Sequence, residues 1–378
     1  MICSGLDPAT GQHIAVEFAD TIRSVAPASV APAPGDSSHY IASGFIDLQV
    51  NGFAGVDFNN PHAPPEDIAR AIEAILATGV TRFLPTVITG PPDHMLACLR
   101  NLRRAQMTLP RGHAIAGFHV EGPHISPEDG PRGAHPKQWV RSPDLNEFAR
   151  WQQAAEGNIR LVTLSPHWPE APAYIAALRQ QGVTASIGHT ASNASHHAAM
   201  FTHLGNAAPN PLPKFPNLLL DHLANNDLSA SFIADRIHLD DNFLRVAVRA
   251  KGIERTILVT DAAAPAGAPP GRYTLGELEV DLTTNDRILL AGTLRLAGST
   301  LRMNRAVANL MLVTGVSLAD AVRTATLNPA RMIHLAGRTN GLVPGDRADI
   351  VLFDRDLTIQ AVYLDGAPTF FPPRASTP

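Results

Sequence analysis

Glu121, His189, His203 and Asp261 each stand at or directly after the end of a short apolar run of this 378-residue chain. One carboxylate oxygen and two imidazole nitrogens make a suitable three-ligand set for a catalytic divalent metal with a position left open for water. In such a set Zn²⁺ lowers the pKa of a water molecule and polarises a carbonyl. Asp261 is then placed to take the water's proton and hand it to a leaving group. Taken singly, Glu121 could be a buried acid paired with an arginine, and either histidine a hydrogen-bonded structural one. Together, at the ends of neighbouring apolar runs, they point to a metal.

The composition narrows the field. Apolar residues make up 45% and charged ones 17%, which excludes extensive disorder. A net charge of −4 argues against a nucleic acid or an anionic membrane as the main partner. Cys3 and Cys98 cannot make a disulfide framework or a cysteine-rich metal cluster. No apolar run reaches the roughly 18 residues of a membrane span. The first twenty residues lack the basic start and apolar stretch of a signal peptide, so a cytoplasmic location is expected. The sixteen histidines are a surplus that only their positions can interpret. There is no Gly-x-Gly for a dinucleotide and no Gly-x-Ser-x-Gly elbow for a serine nucleophile.

Positioning these side chains requires a regular scaffold. From Ile41 onward, β-branched runs alternate with Ala/Leu/Arg-rich segments of helical period. The expected strands are 45–50, 81–88, 114–120, 159–165, 183–187, 199–204, 229–234 and 256–260. Expected helices between them include 65–78, 93–106, 142–155, 172–181 and 241–250, and three more follow the eighth strand at 301–314, 318–326 and from Asn328. Eight βα units in about 290 residues match a (β/α)₈ TIM-like barrel, whose active site is built at the C-terminal ends of its strands. β-like segments at both ends, with a Pro/Ala/Ser-rich stretch at 26–38, predict a small β-sandwich domain formed by both termini. The expected division is 1–42 with 341–378 for the small domain and 43–340 for the barrel. His119 alternates with Glu121 and reads as a partner behind the ligands. His196 and His197 read as an exposed helix start, and Cys98 as core packing.

The motifs carry a resemblance that runs nearly end to end. SGFIDLQVNGFAGVDFN (43–59), GFHVEGPHI (117–125), RGAHP (132–136), IGHTASNA (187–194), THLGNA (202–207), FIADRIHLD (232–240), LVTDAAAPAG (258–267), LAGSTLRM (296–303) and TLNPAR (326–331) together resemble the N-acetylglucosamine-6-phosphate deacetylase family of the amidohydrolase superfamily. The resemblance implies hydrolysis of the acetyl amide of an amino sugar phosphate, a cytoplasmic enzyme and a homodimer, with no nucleic-acid or membrane partner. It implies one divalent metal per subunit on Glu121, His189 and His203. Zn²⁺ is the leading expectation, and Fe²⁺, Co²⁺ or Mn²⁺ also suit the ligands. Asp261 corresponds to the general base and acid, and His135 to a histidine that helps polarise the acetyl carbonyl. His238 corresponds to a sugar contact, and Asn206 with the Ala207 amide to part of a phosphate cradle. Where many superfamily members carry His-x-His for a second metal, this chain has Gln49-Val50-Asn51, so a mononuclear site is expected.

Departures fall on the substrate side. Gly205 stands where the family has an aromatic residue. Lys214 stands in place of a phosphate-binding arginine that often serves a neighbouring subunit, and keeps the charge but not the two-pronged fork. Arg236 replaces a usual glycine and is expected to add an anion contact or fill part of the sugar pocket. Two competing readings are a deacetylase of a different or non-phosphorylated N-acetyl amino sugar and a non-catalytic sugar-binding barrel. The intact acid and ligand set speaks against the second.

Overall fold

A computed structural model describes residues 1–28, 39–209, 211–339 and 341–372. Most of the Pro/Ala/Ser-rich stretch, and the last six residues assigned to the small domain, lie outside the described residues. Eight parallel strands form one sheet in the order of the chain. They are Phe45–Val50, Val80–Ile88, Phe118–Glu121, Ile159–Leu164, Thr184–Ile187, Met200–Phe201, Ser229–Phe232 and Thr256–Leu258. A parallel bridge between Val50 and Ala262 brings the first strand back to the end of the eighth. Strands covered by helices on one face and by side chains inside the barrel are buried on both, which is why they read as continuous apolar runs.

The helices start where their caps dictate. Asp144 accepts from Asn146 N at 2.8 Å and starts Leu145–Ala154, three residues later than periodicity alone places it. Asp240 accepts from Asn242 N and Phe243 N at 2.7 and 2.8 Å and starts Asp241–Lys251. Pro65–Leu76 turns Ile68, Ala71, Ile72, Ile75 and Leu76 to the core at helical spacing. The third strand begins at Phe118 rather than 114, because Gly112–Ala114 closes a single 3₁₀ turn. No helix follows the fifth strand among the described residues. His196 and His197 have φ of +46° and +62°, which an α-helix cannot accommodate, so the expected helix start there is a turn.

The strands at the two ends of the chain form a single seven-stranded sheet. Counting from one edge, its strands are Ala367–Phe370, Ile359–Leu364, Ile350–Phe353, Tyr40–Ser43, Ile2–Leu6, His13–Phe18 and Ile22–Pro27. It curls over its own small core of Val16, Phe18, Ile22, Ile41, Ala348 and Ile350. The curl closes where Ile22 N donates to the Asp346 carbonyl at 2.8 Å and Gly345 N to the Ile22 carbonyl at 2.9 Å.

The fold carries a further layer that the strand and helix patterns of the sequence do not predict. Between the eighth strand and Met303–Thr314, the strands Gly271–Leu275, Leu278–Leu282 and Ile288–Leu290 form an antiparallel meander. Leu275, Val280, Leu282 and Ile288 pack with Ile88, Ala263 and Ala297 over the barrel mouth. No helix among the described residues is long and apolar enough to cross a membrane.

Candidate active site

Glu121 is the last residue of the third strand. His189, His203 and Asp261 lie two or three residues beyond the fifth, sixth and eighth strands, with φ of +49°, +33° and +51°. Non-glycine residues in that region cost about 1–3 kcal/mol each and persist where their surroundings hold them. The reversal breaks the alternation of the strand and lets three strand ends aim at one place.

That place is a triangle of ligand atoms. Glu121 Oε1 lies 2.9 Å from His203 Nε2 and 3.3 Å from His189 Nε2, and the two Nε2 atoms are 3.2 Å apart. Ligands bound tetrahedrally at their usual distances from one Zn²⁺ stand roughly 3.3 Å from one another. His189 Nδ1 donates to the Pro131 carbonyl at 3.0 Å, which orients the ring with Nε2 towards Glu121. Two imidazole nitrogens and a carboxylate oxygen converging in a buried spot fit a divalent cation. His135 also comes close, since its ligand atom falls with those of Glu121 and His189 inside 4.8 Å. Its Nε2 is 4.0 Å from the other Glu121 oxygen, and its Nδ1 is 2.8 Å from Thr89 Oγ1. On distance, His203 completes the triangle and His135 stands beside it.

The electrostatics agree. Burial alone would raise the Glu121 carboxyl, but hydrogen bonds from His189 and His203, and their charge, hold it well below the usual range. Burial would lower His203, and the Glu121 hydrogen bond and charge raise it instead. The site therefore favours positive charge at this point. Burial and the Glu121 charge raise Asp261 above an ordinary aspartate. Burial, helped by His189, pushes His135 down to about 3, so its ring is neutral.

Gln49 and Asn51 do work that their amide type alone did not disclose. Gln49 Nε2 donates to Glu121 Oε1 and Asp261 Oδ1 at 3.0 Å each, and Asn51 Nδ2 donates to Asp261 Oδ1 at 2.7 Å. The His-x-His position thus carries hydrogen-bond donors that fix the acid. Asp235, also unassigned from sequence, accepts from His238 Nδ1 at 2.6 Å and from two backbone amides, which locks that ring. Among the described residues, the side chain of His119 hydrogen-bonds hydroxyls and not Glu121, His189 or His203. It bonds Thr163 Oγ1 at 2.8 Å, in a hydroxyl chain through Thr202 and Ser186 that fills the barrel interior.

A cavity of about 360 Å³ opens over the triangle. It is lined by Glu121, His135, His189, His203 and Asp261, by Asn206, Ala207 and His238, and by Leu275, Leu278 and Arg295 around the meander. A larger cavity of about 560 Å³, at the N-terminal ends of the strands, holds no such ligand set. Two expected substrate residues do not line the mouth. Arg236 closes its fork on Asp241, at 2.9 and 2.7 Å, and Lys214 lies exposed over the Phe215 ring. Arg236 has φ +64°, a conformation that suits glycine, and its fork is taken up by Asp241 at the surface. Gly205 has a reason of its own. At φ +99°, a Cβ would lie 2.5 Å from Phe243 Cε1, so Phe243 occupies the space an aromatic at 205 would need.

A barrel whose strand ends present Glu, His, His and a neighbouring Asp defines a metal-dependent hydrolase of the amidohydrolase superfamily. The comparisons with known proteins agree. The amidohydrolase family model matches residues 214–370. An N-acetylglucosamine-6-phosphate deacetylase from Danio rerio is 34% identical over 343 residues, covering 86% of this chain and 83% of that protein. An N-acetylgalactosamine-6-phosphate deacetylase from Escherichia coli O157:H7 is 30% identical, covering 91% of each. The structure of a mutant N-acetyl-D-glucosamine-6-phosphate deacetylase from Mycobacterium smegmatis, in complex with N-acetyl-D-glucosamine-6-phosphate, superposes with a TM-score of 0.87 at 30% identity. It covers 98% of this chain and 99% of that one. The chain belongs to the N-acetylglucosamine-6-phosphate deacetylase family.

Proposed function

We propose that this protein removes the acetyl group of N-acetylglucosamine 6-phosphate, giving acetate and the free amine. The observation that carries this reading is the Glu121–His189–His203 triangle beside Asp261 in one cavity. The named substrates of the relatives support it.

Glu121, His189 and His203 would hold one divalent ion, Zn²⁺ first among the candidates, which supplies Lewis acidity at the acetyl carbonyl and a water of lowered pKa. Asp261, steadied by Gln49 and Asn51, takes the proton of the attacking water and delivers it to the departing amine. Its burial makes it a stronger base than an exposed aspartate. Neutral His135, with Nδ1 against Thr89, offers its Nε2 proton to the oxygen on which charge develops. His238, Asn206 and Ala207 face the sugar. The Escherichia coli relative favours one second reading, an N-acetylated amino sugar with a different ring configuration. A cytoplasmic homodimer, with exposed Lys214 turned to a neighbouring subunit, completes the proposal.

Asp261→Asn keeps the side-chain shape and removes the base. Acetate release should fall by about 10²–10⁴-fold while metal content stays at one ion per chain. Release at the wild-type rate would remove Asp261 from the mechanism, and two ions per wild-type chain would overturn the mononuclear assignment.

A further inference from the structure

The cavity lining contains two acids, Glu121 and Asp261, and a single permanently cationic side chain, Arg295. The two cations with a sequence argument for anion contact are absent from it, one spent on Asp241 and one exposed beside Phe215. The Arg295 guanidinium has no hydrogen-bond or ion-pair partner among the described residues. Asp129, whose carboxylate feels the Arg295 charge, is already paired with Arg132.

The backbone that carries Arg295 is held at both ends. Arg295 N donates to Thr293 Oγ1 at 3.1 Å, and its carbonyl accepts from Leu290 N at 2.9 Å, on the last strand of the meander. Further along, Ser299 N donates to the Asp261 carbonyl at 2.9 Å and Ser299 Oγ to the Thr260 carbonyl at 2.5 Å. Arg295 therefore stands at most four residues, about 14 Å of fully extended chain, from the residue that pairs with Asp261. A hexosamine phosphate carries its acetamide on C2 and its phosphate on C6, which hangs from C5 on the opposite side of the ring. Holding the acetamide over the triangle thus sends the phosphate away from Glu121 and Asp261, towards the rim of the cavity. A planar guanidinium fork matches a phosphate there.

We propose that Arg295 is a specificity-determining residue that binds the substrate's anionic group from within the same chain. The inference rests on the deacetylase reading above. It assigns to the meander the charge that the 214–217 and 232–240 segments do not bring to this cavity.

The test uses Arg295→Leu and Arg295→Lys, with kcat and KM for N-acetylglucosamine 6-phosphate and for free N-acetylglucosamine, and calorimetric binding of inorganic phosphate. In Arg295→Leu, KM for the phosphorylated sugar should rise about 10- to 100-fold with a much smaller change in kcat. The preference for the phosphorylated over the free sugar should fall by the same factor, and phosphate affinity should weaken in parallel. Arg295→Lys should recover part of each. Unchanged preference and unchanged phosphate affinity in Arg295→Leu would overturn the proposal. Should the wild type act only on free sugars, or on none, the phosphorylated-substrate reading fails and phosphate binding alone decides. Its loss in Arg295→Leu keeps Arg295 as an anion site, whereas unaltered or absent binding sinks it.

Discussion

His124 is sealed between the rings of Trp151 and Tyr174, each centred 5.3 Å away, and only its Nδ1 finds a partner, the Arg141 carbonyl. Burial pushes the ring down to about 4. Between that value and the ordinary histidine value near 6.5, the unfolded chain binds a proton that the folded chain refuses. Stability from this group is thus present above about pH 6.5 and is lost as pH falls towards 4, by about 3 kcal/mol in full. His124→Phe keeps the aromatic packing and should lose about 2 kcal/mol less than wild type between pH 7 and pH 5, read from urea midpoints. Parallel profiles would show that another group titrates. At this scale the ligands were legible, because a metal-competent residue ending an apolar run is a rare coincidence repeated four times. Gln49 and Asn51 were legible only as an absence of histidine, since an amide that orients an acid follows no spacing rule. Arg236 misled for a structural reason. Its charge was readable, but its positive φ and the pairing that spends the fork on Asp241 were not.

The barrel strands were legible as elements because burial on two faces writes an unbroken apolar run. The meander was not, although Leu278, Val280 and Leu282 alternate with polar neighbours after a Gly276-Glu277 turn. Its strands are three to five residues long and half exposed, so they carry little more pattern than a loop. Its tip is fastened at two points. Asp57 Oδ2 accepts from Gly276 N at 2.8 Å, and Glu277 Oε2 accepts from Trp139 Nε1 at 2.7 Å, on the segment that follows His135. Asp57→Ala removes the first fastening. Amide exchange in 271–290 should then rise while the barrel strands keep their protection, and KM should increase because Leu275 and Leu278 no longer hold their wall of the cavity. Unaltered exchange in the meander would show that Trp139 and the small core beneath it suffice.

Across the molecule, the terminal sheet and the barrel are joined through buried charge. Arg82 of the second strand forks onto Asp349 at 2.7 and 2.9 Å and reaches Asp365 at 2.6 Å. Arg338 reaches Asp349 at 3.2 Å and the Gly44 carbonyl at 2.5 Å. Burial alone would raise Asp349, and the two guanidiniums hold it below the usual carboxylate range. Asp349→Ala leaves both cations buried with less than their charge answered, and should cost about 3–5 kcal/mol by urea denaturation. A loss under about 1 kcal/mol would mean that Asp365 and water replace it. The contacts of Arg82 with Asp349 and Asp365, and of Arg338 with Gly44, join residues more than 250 positions apart and leave no local trace in the sequence.

The interleaved sheet also sets a timetable for synthesis. Tyr40–Ser43 must wait for Ile350–Phe353, its hydrogen-bonded neighbour, while some 300 intervening residues leave the ribosome. At about 5–20 residues per second that is roughly 15–60 s. Throughout that interval Phe18, Ile22 and Ile41 have no Ala348 or Ile350 to cover them, and Arg82 has no carboxylate. The nascent chain therefore presents an apolar sheet edge that a chaperone would be expected to shield. A premature stop ahead of residue 345 would leave that edge open permanently, sending an otherwise intact barrel sequence to aggregation or proteolysis.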